Sequence, residues 1–179
     1  RPAFEHLPPR RGPDGTERPD LLRDPDVILV THAHADHTGA LPMAAGLFDE
    51  VPLYATAMTI HLVEVLHRDT AKIMKDEGAR RGEGDVPVFT ERELGDLLAR
   101  MMPQPYYQPF FLIRGRTDFR CTFLPAGHIG GAAMIDLETP FGRIQHLGDY
   151  SGAALPSCGA ADLDALPPAD IVVTEGTYA

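Results

Sequence analysis

His32-Ala33-His34-Ala35-Asp36-His37 packs three imidazoles and a carboxylate into six residues. In an extended segment, side chains two apart project to the same face, so His32 and His34 can grip one cation. Where the chain then turns into a helix, Asp36 and His37 can face a second cation a few ångströms away. Imidazole and carboxylate donors suit Zn2+, with Mn2+ or Fe as alternatives, and the lack of Cys ligands argues against a structural zinc finger. The expected chemistry is that of a catalytic centre with open coordination positions. A stray pair of histidines is more often a surface feature, but four candidate ligands at this spacing, directly after an apolar run, favour metal.

The segments around this cluster show what must hold it. Residues 1–25 are rich in Pro, Arg and Asp without apolar periodicity and read as an irregular lead-in, with the ordered domain expected at 26–179. Residues 26–30, Asp-Val-Ile-Leu-Val after Pro25, have the signature of a buried strand running directly into Thr31 and the histidines. Helical spacing is expected over 38–47, where Pro42 is tolerable because a first turn donates no intrahelical bonds. A short strand follows at 52–56, then one long amphipathic helix from Ala57 to about Glu77 carrying Ile60, Val63, Val65, Leu66, Ile73 and Met74. Residues 78–85, loaded with Gly, Arg and Glu, read as a solvated loop that includes Arg80 and Arg81. Thr90 with Glu93 forms a capping box for a helix through Met102, ended by Pro103. The period then changes, and strands are expected at 106–113, 119–124, 132–138, 143–147 and 171–174, with Thr139 to Gly142 as a hairpin turn. Strands with helices between and beside them imply a layered α/β fold.

Later segments add candidates of their own. Leu124-Pro125-Ala126-Gly127-His128 ends a strand in a Gly-flanked histidine, which lets backbone approach an ion closely; on its own, His128 is as often a core or surface residue as a ligand. Gly148-Asp149 and Glu175 each follow a strand, a commonplace arrangement. His6, His61, His67 and His146 take the ordinary structural reading. His61 and His67 fall on different faces of their helix, and His146 is expected to point away from Asp149, either behind the ligands or into the core.

Thr31-His-Ala-His-Ala-Asp-His-Thr-Gly-Ala-Leu-Pro42 resembles the His-x-His-x-Asp-His signature of the metallo-β-lactamase superfamily, and its Gly-Ala-Leu-Pro looks like the β-CASP nuclease branch. Ala126-Gly-His128-Ile-Gly-Gly-Ala132 is similar to that branch's Ala-Gly-His-x-x-Gly-Ala segment. Thr174-Glu175-Gly-Thr-Tyr178-Ala179 resembles its Glu-Ser-Thr-Tyr-Gly motif, departing at Gly176 and Ala179. The resemblance spans roughly residues 26–179 and implies a four-layer αββα sandwich. It further implies that His128 completes the first metal's triad with His32 and His34, that Asp149 bridges two zinc ions, and that Glu175 is the acidic functional residue, Glu rather than Asp pointing toward the RNA-processing members. Family members begin with an Asp-bearing strand and continue through a β-CASP insert to a returning segment with further histidines; neither feature is found here. The resemblance therefore implies a partial chain, incomplete at both ends, whose second metal is weakly held or absent.

The expected activity is hydrolysis of single-stranded RNA. Two cations about 3.5–4 Å apart share a water and lower its pKa from about 15.7 toward 7, and the shared hydroxide attacks phosphorus. Asp149 positions that nucleophile, Asp36 helps hold the second ion, and Glu175 fixes a histidine or water near the leaving oxygen. Two alternatives stand beside this: an acyl hydrolase acting on a thioester or lactone, and a non-catalytic scaffold of an RNA-processing complex. The net charge of −10 argues weakly against a broad basic face for nucleic acid, although part of that excess is carboxylates that cations would neutralise. With no apolar run of spanning length, an N-terminus lacking a signal-peptide core and only two cysteines, Cys121 and Cys158, no membrane partner and a reducing cytoplasm are expected. Assembly is expected as a homo-oligomer or within an RNA-processing complex.

Overall fold

In the computed structural model, which describes residues 25–48, 50–81, 89–113 and 117–176, the apolar run after Pro25 becomes a short strand, β1 (Ile28–Leu29). The lead-in up to residue 24 with His6, residues 82–85 of the expected loop, and Thr177 to Ala179 lie outside the described residues. Ile28 and Val30 donate their N–H groups to Pro52 and Tyr54 at 2.9 Å, the ladder of a parallel pair with β2 (Leu53–Ala55).

The single helix expected over 38–47 is instead two, α1 (Ala35–Thr38) and α2 (Leu41–Leu47). Pro42 has no N–H to send to the Thr38 carbonyl, so the ladder cannot run continuously across Gly39 and Ala40. The long helix, α3 (Ala57–Arg81), begins as expected but runs four residues beyond Glu77. Gly78 weakens a helix without ending it, and Ala79, Arg80 and Arg81 favour the helical state, so the expected loop is corrected there.

Thr90 and Glu93 form the capping box, with Thr90 N–H donating to Glu93 Oε2 at 2.7 Å and Glu93 N–H donating to Thr90 Oγ1 at 3.2 Å. The helix they start, α4 (Glu91–Arg100), ends two residues earlier than expected. Met101 and Met102 are drawn into a strand, β3 (Met101–Pro103), parallel to β2. Met101 is buried in the core there, and Pro103 is tolerated because β3 lies at the sheet edge.

A second, five-stranded sheet follows in chain order: β4 (Phe110–Phe111), β5 (Arg120–Pro125), β6 (Ala133–Thr139), β7 (Gly142–His146) and β8 (Ile171–Val173). Neighbours are antiparallel except β7 and β8, which run parallel. The strand expected over 106–113 is reduced to β4 and one bridge from Tyr106 to Phe123, because Tyr107 takes a left-handed φ of 63° that a continuous strand cannot contain.

Leu53, Val63, Leu94 and Leu97 fill the layer between the first sheet and α2, α3 and α4. Leu29 and Tyr54 from the first sheet meet Cys121, Phe123, Ala133 and Ile135 from the second, which places the two sheets face to face. The outer face of the second sheet, with Leu124, Met134 and Leu147, packs against Tyr150, Ala161 and Leu166. Among the described residues the layers are thus helix, sheet and sheet, with a connecting loop on the outermost face. No helix among them is long and apolar enough to cross a membrane.

One side chain seals the helical layer. Arg100, in the last turn of α4, donates to the carbonyls of Ala45 at 2.6 Å in the last turn of α2, and of Phe48 and, at 2.8 Å, Val51 in the turn that follows it. Arg100→Ala removes a donor from all three, leaving Phe48 only the 3.3 Å bond from Val51 N–H, and is expected to destabilise the protein by about 2–4 kcal/mol. Urea unfolding measures it, and a loss under about 0.5 kcal/mol would mean that water substitutes for the guanidinium.

Candidate metal centre

β1, β5, β7 and β8 all deliver their C-terminal ends to one edge of the sandwich, and each leads into a loop bearing a candidate ligand or acid. The two sheets are tied at that edge by a hydrogen bond from Ala133 N–H to the Thr31 carbonyl at 2.8 Å. Gly148 makes the closeness feasible. Its φ is +59°, and a Cβ there would lie 3.1 Å from Thr31 Cβ, so a larger residue would be both strained and crowded.

From these loops His32, His34, His128 and Asp149 present ligand atoms that all lie within 4.8 Å of one another. His34 Nδ1 sits 3.1 Å from His32 Nε2 and 3.0 Å from His128 Nε2. Asp149 Oδ2 stands 3.8 Å from His32 Nε2 and 3.5 Å from His128 Nε2. Four donors on a tetrahedral ion with bonds of about 2.0–2.1 Å sit roughly 3.3 Å apart, so three imidazoles and one carboxylate here have the chemistry and spacing to hold a metal.

The remaining predicted residues are arranged less tightly. His37 Nε2 lies 3.4 Å from Asp149 Oδ1, the oxygen opposite the one facing the other histidines, and 3.6 Å from Asp36 Oδ2. The Asp36 side chain is 77% exposed and stands outside the four-residue group. Glu175 is also outside it, and its Oε1 accepts from Tyr150 N–H at 3.3 Å, bracing the turn that carries Asp149.

His61 is exposed on α3, and His67 is buried with its ring against the Val63 and Thr38 carbonyls, so neither joins the group. His146 corrects part of its expectation. It is exposed rather than in the core, and its Nδ1 accepts from Gly148 N–H at 3.2 Å.

Sequence reasoning passed over the polar residues behind the histidines. Thr31 Oγ1 lies 3.2 Å from His32 Nδ1; with that nitrogen donating, Nε2 is left with its lone pair toward the cluster. Tyr106 O–H donates to the Ala132 carbonyl at 2.9 Å, just beyond the His128 loop. A threonine beside a histidine motif and a tyrosine in a broken strand carry no spacing signal of their own.

Burial lowers the His32 pKa from an ordinary 6.5 to about 4; His37 adds to the shift, Asp149 opposes it, and His34 and His128 add smaller contributions. The ring is therefore neutral at neutral pH, the form that donates to a metal. The unfolded chain takes up a proton near pH 6.5 that the folded chain refuses until about pH 4. Stability of the metal-free protein is accordingly expected to fall as pH drops through that window, and His32→Asn to flatten the fall. Thermal unfolding across the window measures it, and identical slopes with and without His32 would count against this assignment.

The chain matches the family model described as the Beta-lactamase superfamily domain over residues 3–178. It is similar to Integrator complex subunit 11 of Danio rerio, 29% identical over 174 residues that make up 95% of this chain and 28% of that protein. Ribonuclease TTHA0252 of Thermus thermophilus is 31% identical over 160 residues, 87% of this chain and 32% of the relative. Transcription termination factor FttA of Pyrococcus horikoshii is 30% identical over 183 residues, 98% of this chain and 25% of the relative. The chain thus spans a quarter to a third of the length of these curated relatives. With the family model running through both sheets and every histidine loop, the chain belongs to the metallo-β-lactamase superfamily.

Proposed function

We propose that this chain is the metal-binding part of a ribonuclease that cuts single-stranded RNA with two zinc ions, manganese being the alternative metal. The observation that carries the reading is the split orientation of Asp149. Its Oδ2 faces His32 and His128 while its Oδ1 faces His37, the disposition of a carboxylate shared between two ions. Relatives named as a ribonuclease and as a transcription termination factor support RNA as the substrate. Those named as subunits of larger complexes support assembly into one.

In this reading His32, His34 and His128 would hold a first ion, Asp36 and His37 would help hold a second, and Asp149 would serve both. When bound, the ions supply a water of lowered pKa and neutralise charge on the phosphate oxygens. Asp149 orients the attacking water, and neutral His32 keeps its lone pair available without competition from protons. Glu175, already bonded to the backbone after Asp149, orients a water or histidine near the leaving oxygen. That these segments retain every ligand expected of them speaks for an enzyme rather than a scaffold.

His34→Ala is the sharpest test, since His34 Nδ1 is the atom both His32 and His128 approach most closely. In the full-length protein it is expected to remove bound zinc and to lower cleavage of labelled single-stranded RNA by at least about a hundredfold. An unchanged rate would refute the assignment. Hydrolysis of a generic thioester with RNA left intact would transfer the site to acyl chemistry.

A further inference from the structure

α3 and the residue before it contribute nothing to the four-residue group, yet three of their polar side chains are buried in the core and bonded to backbone carbonyls of the loops that build it. Thr56, Thr59 and His67 are 5%, 0% and 3% exposed. Thr56 also caps α3, its hydroxyl oxygen accepting from Thr59 N–H at 3.2 Å, but that local role does not account for where the Thr56, Thr59 and His67 donors go, and a buried polar side chain carries a desolvation cost that valine or leucine would not.

The first two converge on one atom. The Thr56 and Thr59 hydroxyls donate to the Gly131 carbonyl at 2.7 Å and 2.9 Å. Gly131 closes the loop that begins at His128, and its φ of +86° puts the place a Cβ would occupy 2.6 Å from Thr59 N. Only glycine lets that loop press onto the start of α3. The third bond fills a gap left by Pro42. With no N–H four residues on, the Thr38 carbonyl has no helical donor, and His67 Nε2 lies 2.8 Å from it. Thr38 directly follows His37, and its own hydroxyl turns back onto the His34 carbonyl at 3.0 Å.

One rigid helix therefore grips the His128 loop at its first turn and the His37 turn two turns later, about 12 Å along its axis. We infer that Thr56, Thr59 and His67 are positioning residues of the metal centre, which set the separation between the His128 loop and the Asp36–His37 turn by holding one carbonyl of each. The inference rests on the reading of the cluster as a metal centre.

Zinc affinity of the full-length protein, by competition with a chromophoric chelator, tests it, with the cobalt(II) absorption spectrum as a geometric readout and thermal unfolding of the metal-free protein as a control on folding. The Thr56→Val/Thr59→Val pair is expected to weaken zinc binding by about ten- to a hundredfold and to shift the cobalt bands, while Thr56→Ser/Thr59→Ser stays within about threefold of the parent. His67→Leu is likewise expected to weaken binding and His67→Gln, which keeps an N–H for the Thr38 carbonyl, to recover it. Folded valine variants with parental affinity and spectrum overturn the inference, as do serine variants as weak as the valine ones. If the valine pair does not fold, each single Thr→Val change, which leaves one hydroxyl on Gly131, decides by the same criteria. A parent protein that binds no zinc overturns the metal-centre reading itself, an outcome distinct from parental affinity in the variants.

Discussion

Three imidazole nitrogens and a carboxylate oxygen held within a few ångströms of one another are an arrangement that the side chains do not seek unaided. Lone pairs about 3 Å apart repel, and one proton shared between two rings relieves only one contact. His32 is fully buried besides, so it cannot escape the crowding by taking a proton from water. The surrounding fold must hold these groups in place against that repulsion, and much of its local irregularity becomes intelligible as the means of doing so. Local order is broken where function needs it: a helix interrupted before Pro42, a glycine at positive φ against Thr31, and hydroxyls retained in a hydrocarbon core.

The sandwich does this by making separate strands end at the same edge. Within a sheet, strands running in the same direction put their following loops side by side, and the hydrogen bond between Ala133 and Thr31 fastens the edges of the two sheets together. The loops after β1, β5 and β7 then have no freedom to separate without breaking buried contacts between Leu29, Tyr54 and Phe123. The site inherits its rigidity from the core, because the residues immediately before each ligand loop are themselves packed.

The parts legible in the sequence share one property: their signal is local. His32 and His34 follow from the two-residue period of an extended chain, the Thr90–Glu93 box from a fixed spacing of three, and the hairpin at Thr139 to Gly142 from its turn residues. The parts that were not legible depend on partners far along the chain. Met101 and Met102 continue a helical pattern but are claimed by pairing with Leu53 and Tyr54. Arg100 looks like an ordinary basic residue in a last helical turn until α2 and the turn after it bring three carbonyls to it. His67 could be set aside as a ligand from its face of the helix, but its actual bond, to a carbonyl freed by Pro42, joins positions 29 residues apart. His128 and Asp149 lie between these cases, since local sequence marks a strand end and only the resemblance, or the folded arrangement, brings them to His32.

The two sides of the centre are built to different tolerances. His32, His34, His128 and Asp149 hang from strands of two sheets locked face to face, and their donor atoms lie within 4.8 Å of one another. Asp36 and His37 hang from a helix of four residues, and Asp36 keeps 77% of its side chain in solvent. Solvation and side-chain entropy both act to keep such a carboxylate free, so the cost of ordering it must be met when a cation arrives. The buried group is therefore the more firmly positioned part of the cluster, and the Asp36–His37 turn the more adaptable one.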